Sequence, residues 1–267
     1  MLRRLVIAVL LLAAAFGAQS KEYTDVYYDP AESGWGFFLV QSDTFQFLAF
    51  FIYGSDGKPT WYVATLVDDG TGTDTYTGQL FATTGTYFPL PWNPALSSAP
   101  AAGTATFKAT DNYHATLTYT VNGVGTVVKN VVRQTLTPYP MAGSYSGSMA
   151  GSVSNCTDPN NNVPQFGGRY NLTVSQSGDA SATATFNFVD NVHNGLVCTV
   201  SGPLTHLGRL YQLNGQMTCT GPNAFPGNPL VTIDSFHPTG QGIEGKLSGN
   251  MVGGCTVVLH FAAVFLN

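Results

Sequence analysis

Apolar and polar residues alternate with period two along most of this chain. Tyr113, Ala115, Leu117 and Tyr119 fall on one side and His114, Thr116, Thr118 and Thr120 on the other. That alternation predicts a strand with one buried face. The run leads into Asn122-Gly123, a pair suited to a two-residue hairpin turn because both residues tolerate positive φ. Asp56-Gly57 gives the same signal between the Phe45–Tyr53 and Pro59–Val67 runs. No stretch beyond the N-terminal apolar segment keeps a helical period. The pattern predicts strands over 24–29, 34–42, 45–54, 59–67, 74–82, 103–109, 112–121 and 124–135. A second set follows over 143–153, 166–175, 180–189, 195–203, 209–219, 229–236, 241–249 and 255–266.

Short strands at this spacing, joined by hairpins with no long crossover, predict an all-β fold. We expect two consecutive antiparallel meander β-barrels of about eight strands each, avidin- or lipocalin-like in architecture, because closure removes exposed edge strands. The two prolines of Thr137-Pro138-Tyr139-Pro140 stiffen a connection. They place an aromatic-rich domain over 21–137 and a second domain over 138–267. Tyr76-Thr77-Gly78-Gln79-Leu80 and Tyr145-Ser146-Gly147-Ser148-Met149 form a short echo between the halves.

One block departs from one-sided alternation. Between Tyr27 and Tyr62, 12 of 36 residues are aromatic, more than a third of all aromatics in the chain. Phe37 and Leu39 oppose Phe38 and Val40; Leu48, Phe50 and Ile52 oppose Phe45, Phe47, Phe51 and Tyr53; Tyr62, Ala64 and Leu66 oppose Trp61, Val63 and Val67. Three adjacent strands are therefore apolar on both faces. A barrel fills its interior with one face, and the other, left bare, is a patch of the size that marks an interaction site. The second domain is the first candidate to cover it, through an inter-domain contact; a ligand or protein partner is the other. An outer-membrane barrel is disfavoured because the one-sided strands present Thr, Ser and Lys outward. A further stretch, Gly85 to Ala102, combines four prolines with Tyr87, Phe88 and Trp92, and is expected to pack back on its barrel as a cap or lid.

Composition narrows the compartment and the partners. Arg3-Arg4, the 12 apolar residues Leu5 to Phe16, and Ala18-Gln19-Ser20 read as a secretory signal cleaved after Ser20. The apolar run is too short for the ~20 residues a membrane span needs. The expectation is an exported protein, periplasmic or extracellular, with no transmembrane segment after processing. Charged residues make up 9% of the chain, with a net charge of −5. The basic residues nowhere cluster, which argues against nucleic acid. Cys156, Cys198, Cys219 and Cys255 all lie in the second half. An even number in an exported chain is read as disulfides. Three connectivities are possible. We favour 198–219, symmetric about a turn near Leu207-Gly208, with 156–255; no close Cys-x-x-Cys pair supports zinc.

Tyr27-Tyr28-Asp29-Pro30-Ala31-Glu32-Ser33-Gly34-Trp35-Gly36 followed by Gly57-Lys58-Pro59-Thr60-Trp61-Tyr62-Val63 resembles the ESGWG…GKPxWYV motif of a largely uncharacterised family of bacterial secreted all-β proteins. The likeness covers roughly residues 23–135, through the Gly103–Phe107 and Val121–Val124 segments. It implies an exported β-protein and brings no activity with it.

Catalytic signatures are sparse. There is no G-x-S-x-G elbow and no HExxH, and the five histidines have no ligand spacing. Asp29 and Glu32 could act as an acid/base pair, although a Glu32 serving the Ser33-Gly34 turn is the favoured reading. Asp68 to Asp74 offers oxygen ligands without the spacing of a Ca²⁺ loop. We expect no cofactor, metal or catalytic residue. The leading expectation is a non-enzymatic exported binding protein with an aromatic-lined site for a small apolar molecule or a glycan. Tyr28, Trp35, Trp61, Tyr62 and Trp92 would line it, with Glu32 as polar anchor. An extracellular hydrolase using Asp29 and Glu32, and a surface scaffold or inhibitor without a pocket, are the alternatives.

Overall fold

The strands form where the alternation placed them, and every hairpin closes on its neighbour. A computed structural model describes residues 21–266; the segment read as a signal, 1–20, lies outside the described residues. The first ring consists of β1 (Asp25–Tyr28), β2 (Gly36–Ser42), β3 (Phe45–Tyr53), β4 (Pro59–Asp68), β5 (Thr75–Ala82), β6 (Ala101–Ala109), β7 (His114–Val121) and β8 (Gly125–Arg133). The second consists of β9 (Gly143–Ser154), β10 (Val163–Ser177), β11 (Ser181–Phe188), β12 (Val197–Leu207), β13 (Leu210–Thr220), β14 (Leu230–Pro238), β15 (Gly242–Asn250) and β16 (Thr256–Phe265). Both are closed antiparallel barrels in strict chain order. β1 pairs with β8 through Tyr27 and Arg133, and β16 pairs back onto β9 along ten residue pairs.

Eight strands give an interior just wide enough for side chains to fill. In the first barrel Phe37, Leu39, Leu48, Phe50, Leu66, Leu80, Phe107 and Leu117 are buried. Their rings meet one another: Phe37–Phe50 at 5.5 Å, Tyr23–Phe107 at 5.7 Å and Phe50–Tyr119 at 6.0 Å between centroids. The second barrel packs Tyr145, Tyr170, Leu172, Phe186, Tyr211, Ile233, Phe236 and Phe261 in the same way. Outward positions on the one-sided strands carry many hydroxyl pairs and few charges. Thr77–Thr106, Thr120–Thr126, Thr183–Ser201 and Thr185–Thr199 bond across adjacent strands at 2.8–3.2 Å. Such cross-strand pairs contribute about 0.2–1 kcal/mol each, which is how a chain with so few ion pairs still ties its outer faces.

Both disulfides take the favoured connectivity. Cys198 and Cys219 are direct partners in the β12–β13 ladder, with Cα atoms 4.1 Å apart. Cys156 and Cys255 join the ends of β9 and β16. By compactness, one unit holds Gly34–Asn130 with the described residues up to Thr24; the other holds Asp25–Ser33 and the chain from Val131 onward. Within that second unit lies a buried ion pair. Asp25 Oδ2 accepts from Arg133 Nη1 at 3.0 Å and from the Arg209 backbone N–H at 3.0 Å, with the Arg133 side chain fully buried. Gly208, at φ +65°, presses so close that a Cβ there would overlap the Asp25 carboxylate.

Candidate functional site

The outer face of β2–β4 is where the doubly apolar pattern becomes a surface. Phe37, Leu39, Leu48, Phe50, Ala64 and Leu66 point inward, and the residues between them point out. Phe38, Val40, Phe45, Phe47, Phe51, Tyr53, Trp61 and Val67 are each between 41% and 58% exposed. The ladder sets them in rows: Val40 opposite Phe47, Phe51 opposite Trp61, and Phe45 opposite Val67. Phe38 and Phe51 meet edge to face at 5.1 Å. No outward position on these three strands carries a charge; the polar side chains among them are Ser42, Thr65 and the Tyr53 hydroxyl.

The six residues expected to line a site are spread over different surfaces. Trp61 lies on this outer face, but Tyr62 is the next residue of the same strand and so points to the opposite side. Trp35 is half-buried just before β2, with Lys129 Nζ 5.7 Å from its ring centroid. Trp92 is 69% exposed on the long loop. Tyr28 and Glu32 belong to the other compact unit, half-buried and exposed respectively. What the structure brings together instead is the Phe set of β2 and β3 around Trp61.

One other expectation changes. The Gly85–Ala102 loop does not pack back as a lid: Tyr87, Phe88, Leu90 and Trp92 are all exposed, Phe88 at 97%. It braces itself instead. Thr84 and Ser98 bridge through their backbones, Thr86 Oγ1 accepts from the Asn93 N–H, and Asn93 caps the 3₁₀ turn Pro94–Leu96. Asp29 holds the turn leading into Glu32: its carboxylate takes the Ala31 N–H at 2.9 Å and its carbonyl takes the Glu32 N–H at 3.0 Å. The Asp68 and Asp69 carboxylates likewise close turns: Asp68 accepts from the Gly70 N–H, and Asp69 from the Thr71 N–H and hydroxyl. The Thr71 bonds hold the Asp69 carboxyl below its ordinary value.

One local pattern escaped the sequence reading. Asp111-Asn112-Tyr113-His114 and Asp190-Asn191-Val192-His193 share the spelling Asp-Asn-x-His, and both connect consecutive strands. In each, one Asp oxygen accepts the N–H two residues on, the His N–H, and the His ring Nδ1, at 2.7–3.0 Å. Burial pushes both carboxyls up, but these bonds outweigh it and leave them below the ordinary Asp range. The second His ring sits against Phe166 and Phe188, at 4.9 and 5.7 Å. Among the described residues no group of three metal-ligating side chains converges, and no helix is long and apolar enough to cross a membrane. No protein-family model matches the chain, and no curated protein matches it.

Proposed function

We propose that this is an exported, non-enzymatic binding protein whose working surface is the outer face of β2–β4. The observation that carries the reading is the set of eight large apolar side chains left about half exposed on three adjacent strands. Aromatic side chains bury roughly 150–250 Å² each, so the set offers on the order of 700–800 Å². That is more than a soluble monomer commonly leaves bare and close to the ~800 Å² one partner contributes to a standard interface. The interior offers less, because its rings pack on one another. The scarcity of hydrogen-bonding groups on the face favours an apolar partner over a glycan, whose hydroxyls need polar side chains beside the stacking ring. Two disulfides suit an oxidising compartment.

The test is binding of the apolar dye anilinonaphthalene sulfonate to the intact chain under native conditions. Dye fluorescence should rise with the full near-UV signature of folded protein retained. The Phe47→Ser/Phe51→Ser/Trp61→Ser variant should lose most of it at unchanged melting temperature. Dye excluded from the intact chain would mean that the face is covered, as the expected inter-domain contact supposes, and would overturn the reading. Equal dye binding by the triple variant would also overturn it.

A further inference from the structure

A cleft of about 600 Å³ opens on the outer wall of the second barrel. Direct cross-strand partners line it: Glu244 faces Ala262, Ala262 faces Ser148, and Ser148 faces Arg169, and His237 continues the row beyond Glu244. The row crosses β14, β15, β16, β9 and β10. Small side chains in its middle and long ones at its ends make a depression in a wall that would otherwise be convex. Thr239 and Gln241 from the β14–β15 turn and Val189 after β11 raise the rims.

A register slip sets the row. Inward positions on β14 run Val231, Ile233 and then Phe236, because a bulge lies between Asp234 and His237, with Ser235 at φ 49°. The skipped residue turns His237 outward beside Glu244, where its Nδ1 lies 3.4 Å from the carboxylate. That hydrogen bond, working against burial, holds Glu244 below its ordinary value, so it is anionic at neutral pH. At the other end Arg169 is exposed, and its guanidinium has no hydrogen bond or ion pair among the described residues. The cleft thus has one negative and one positive end. Three strand spacings separate them, about 14 Å between Cα atoms at ~4.8 Å each, and less between the charges if the side chains reach inward.

We propose that this cleft binds short peptides with free termini, the carboxylate at Arg169 and the ammonium at Glu244, lying over the Ala262–Ser148 floor. A ligand must carry opposite charges at its two ends to satisfy both, and an extended peptide of two to four residues has that charge pattern at about 3.3–3.6 Å per residue. The site is independent of the aromatic face of the first barrel.

Trialanine is the probe, titrated into the isotope-labelled full chain and followed by amide chemical shifts. Shifts should concentrate at Ser146, Ser148, Ala262 and Val264, and weaken with added salt as screening grows. Trialanine acetylated and amidated at its ends should bind several-fold more weakly. Arg169→Gln and Glu244→Gln should each weaken trialanine by about threefold to fivefold, the range of solvent-exposed charge pairs. Both residues point outward, so far-UV circular dichroism should confirm unchanged folds. The proposal is overturned if millimolar trialanine moves none of these amides, if the capped peptide binds equally well, or if neither variant weakens binding.

Discussion

Asp25 shows how much of this molecule depends on single polar contacts. Its carboxylate is almost fully buried and takes Arg133 on one side and the Arg209 N–H on the other. Breaking a buried pair by removing one member commonly costs about 3–5 kcal/mol, because the remaining charge keeps its desolvation cost. Asp25→Ala should therefore lower urea-unfolding stability by roughly 3 kcal/mol or more, whereas an exposed Asp56→Ala should change it by less than ~0.5 kcal/mol. Gly208→Ala gives a second route to the same contact. It adds one methyl where φ is +65° and the Asp25 carboxylate already fills the space. If Gly208→Ala proved as stable as the native chain, the Asp25 contact would be peripheral. In the sequence Gly208 reads only as part of a turn and Asp25 carries no signal of its own: it is one of fifteen acidic residues, and its partners lie more than a hundred positions away.

Elements were more legible than contacts. All sixteen strands fall within a few residues of the predicted spans, since a half-buried strand writes its alternation directly into local sequence. The same alternation separated Phe37 and Phe50 from Phe38 and Phe51, so the exposed face of β2–β4 could be read from the chain. The six-residue site could not, because residue type alone does not say which face a ring occupies, and Trp61 and Tyr62 diverge within one strand. The Ser235 bulge was equally invisible: nothing local announces that alternation will skip a residue there. The two Asp-Asn-x-His turns carry the element-scale prediction. Their carboxyls lie below the ordinary Asp value, so their stabilisation is complete above about pH 4 and is lost as pH falls through the lowered value. Asp190→Asn keeps an oxygen acceptor for the N–H groups but removes the charge facing His193. Its stability deficit should be present at neutral pH and shrink as pH falls through the lowered Asp190 value. A deficit constant from pH 3 to 7 in denaturant titrations would assign the turn to hydrogen bonding alone.

At the scale of the whole chain, two barrels of one type invite the idea of duplication, and the echoes do not support it. Matching strands of the two rings are offset by well over a hundred residues, from Asp25 to Gly143 at the first strand. The Tyr-x-Gly-x-Leu/Met echo instead joins β5 to β9, and the Asp-Asn-x-His echo joins the β6–β7 turn to the β11–β12 turn. Gly78 and Gly147 explain the first: each is where a neighbouring backbone approaches too closely for a Cβ, with an inward Tyr and Leu or Met on either side. The echoes are local solutions to strand coiling and turn closure. Where the barrels truly differ is covalent, since both disulfides lie in the second. Loop-closure entropy predicts about 4.7 kcal/mol for the Cys156–Cys255 link and about 3.4 kcal/mol for Cys198–Cys219, whose sequence separations are 99 and 21. The longer link also fastens the β9–β16 seam that closes the ring. Reduction should consequently act on one barrel. Amide hydrogen exchange in dithiothreitol should show residues 143–265 losing protection while 36–121 keep theirs. Cys156→Ala/Cys255→Ala should reproduce most of that loss, and Cys198→Ala/Cys219→Ala less. Equal loss of protection in both barrels would mean that they unfold as one cooperative body, and the entropy would then be shared across the whole chain.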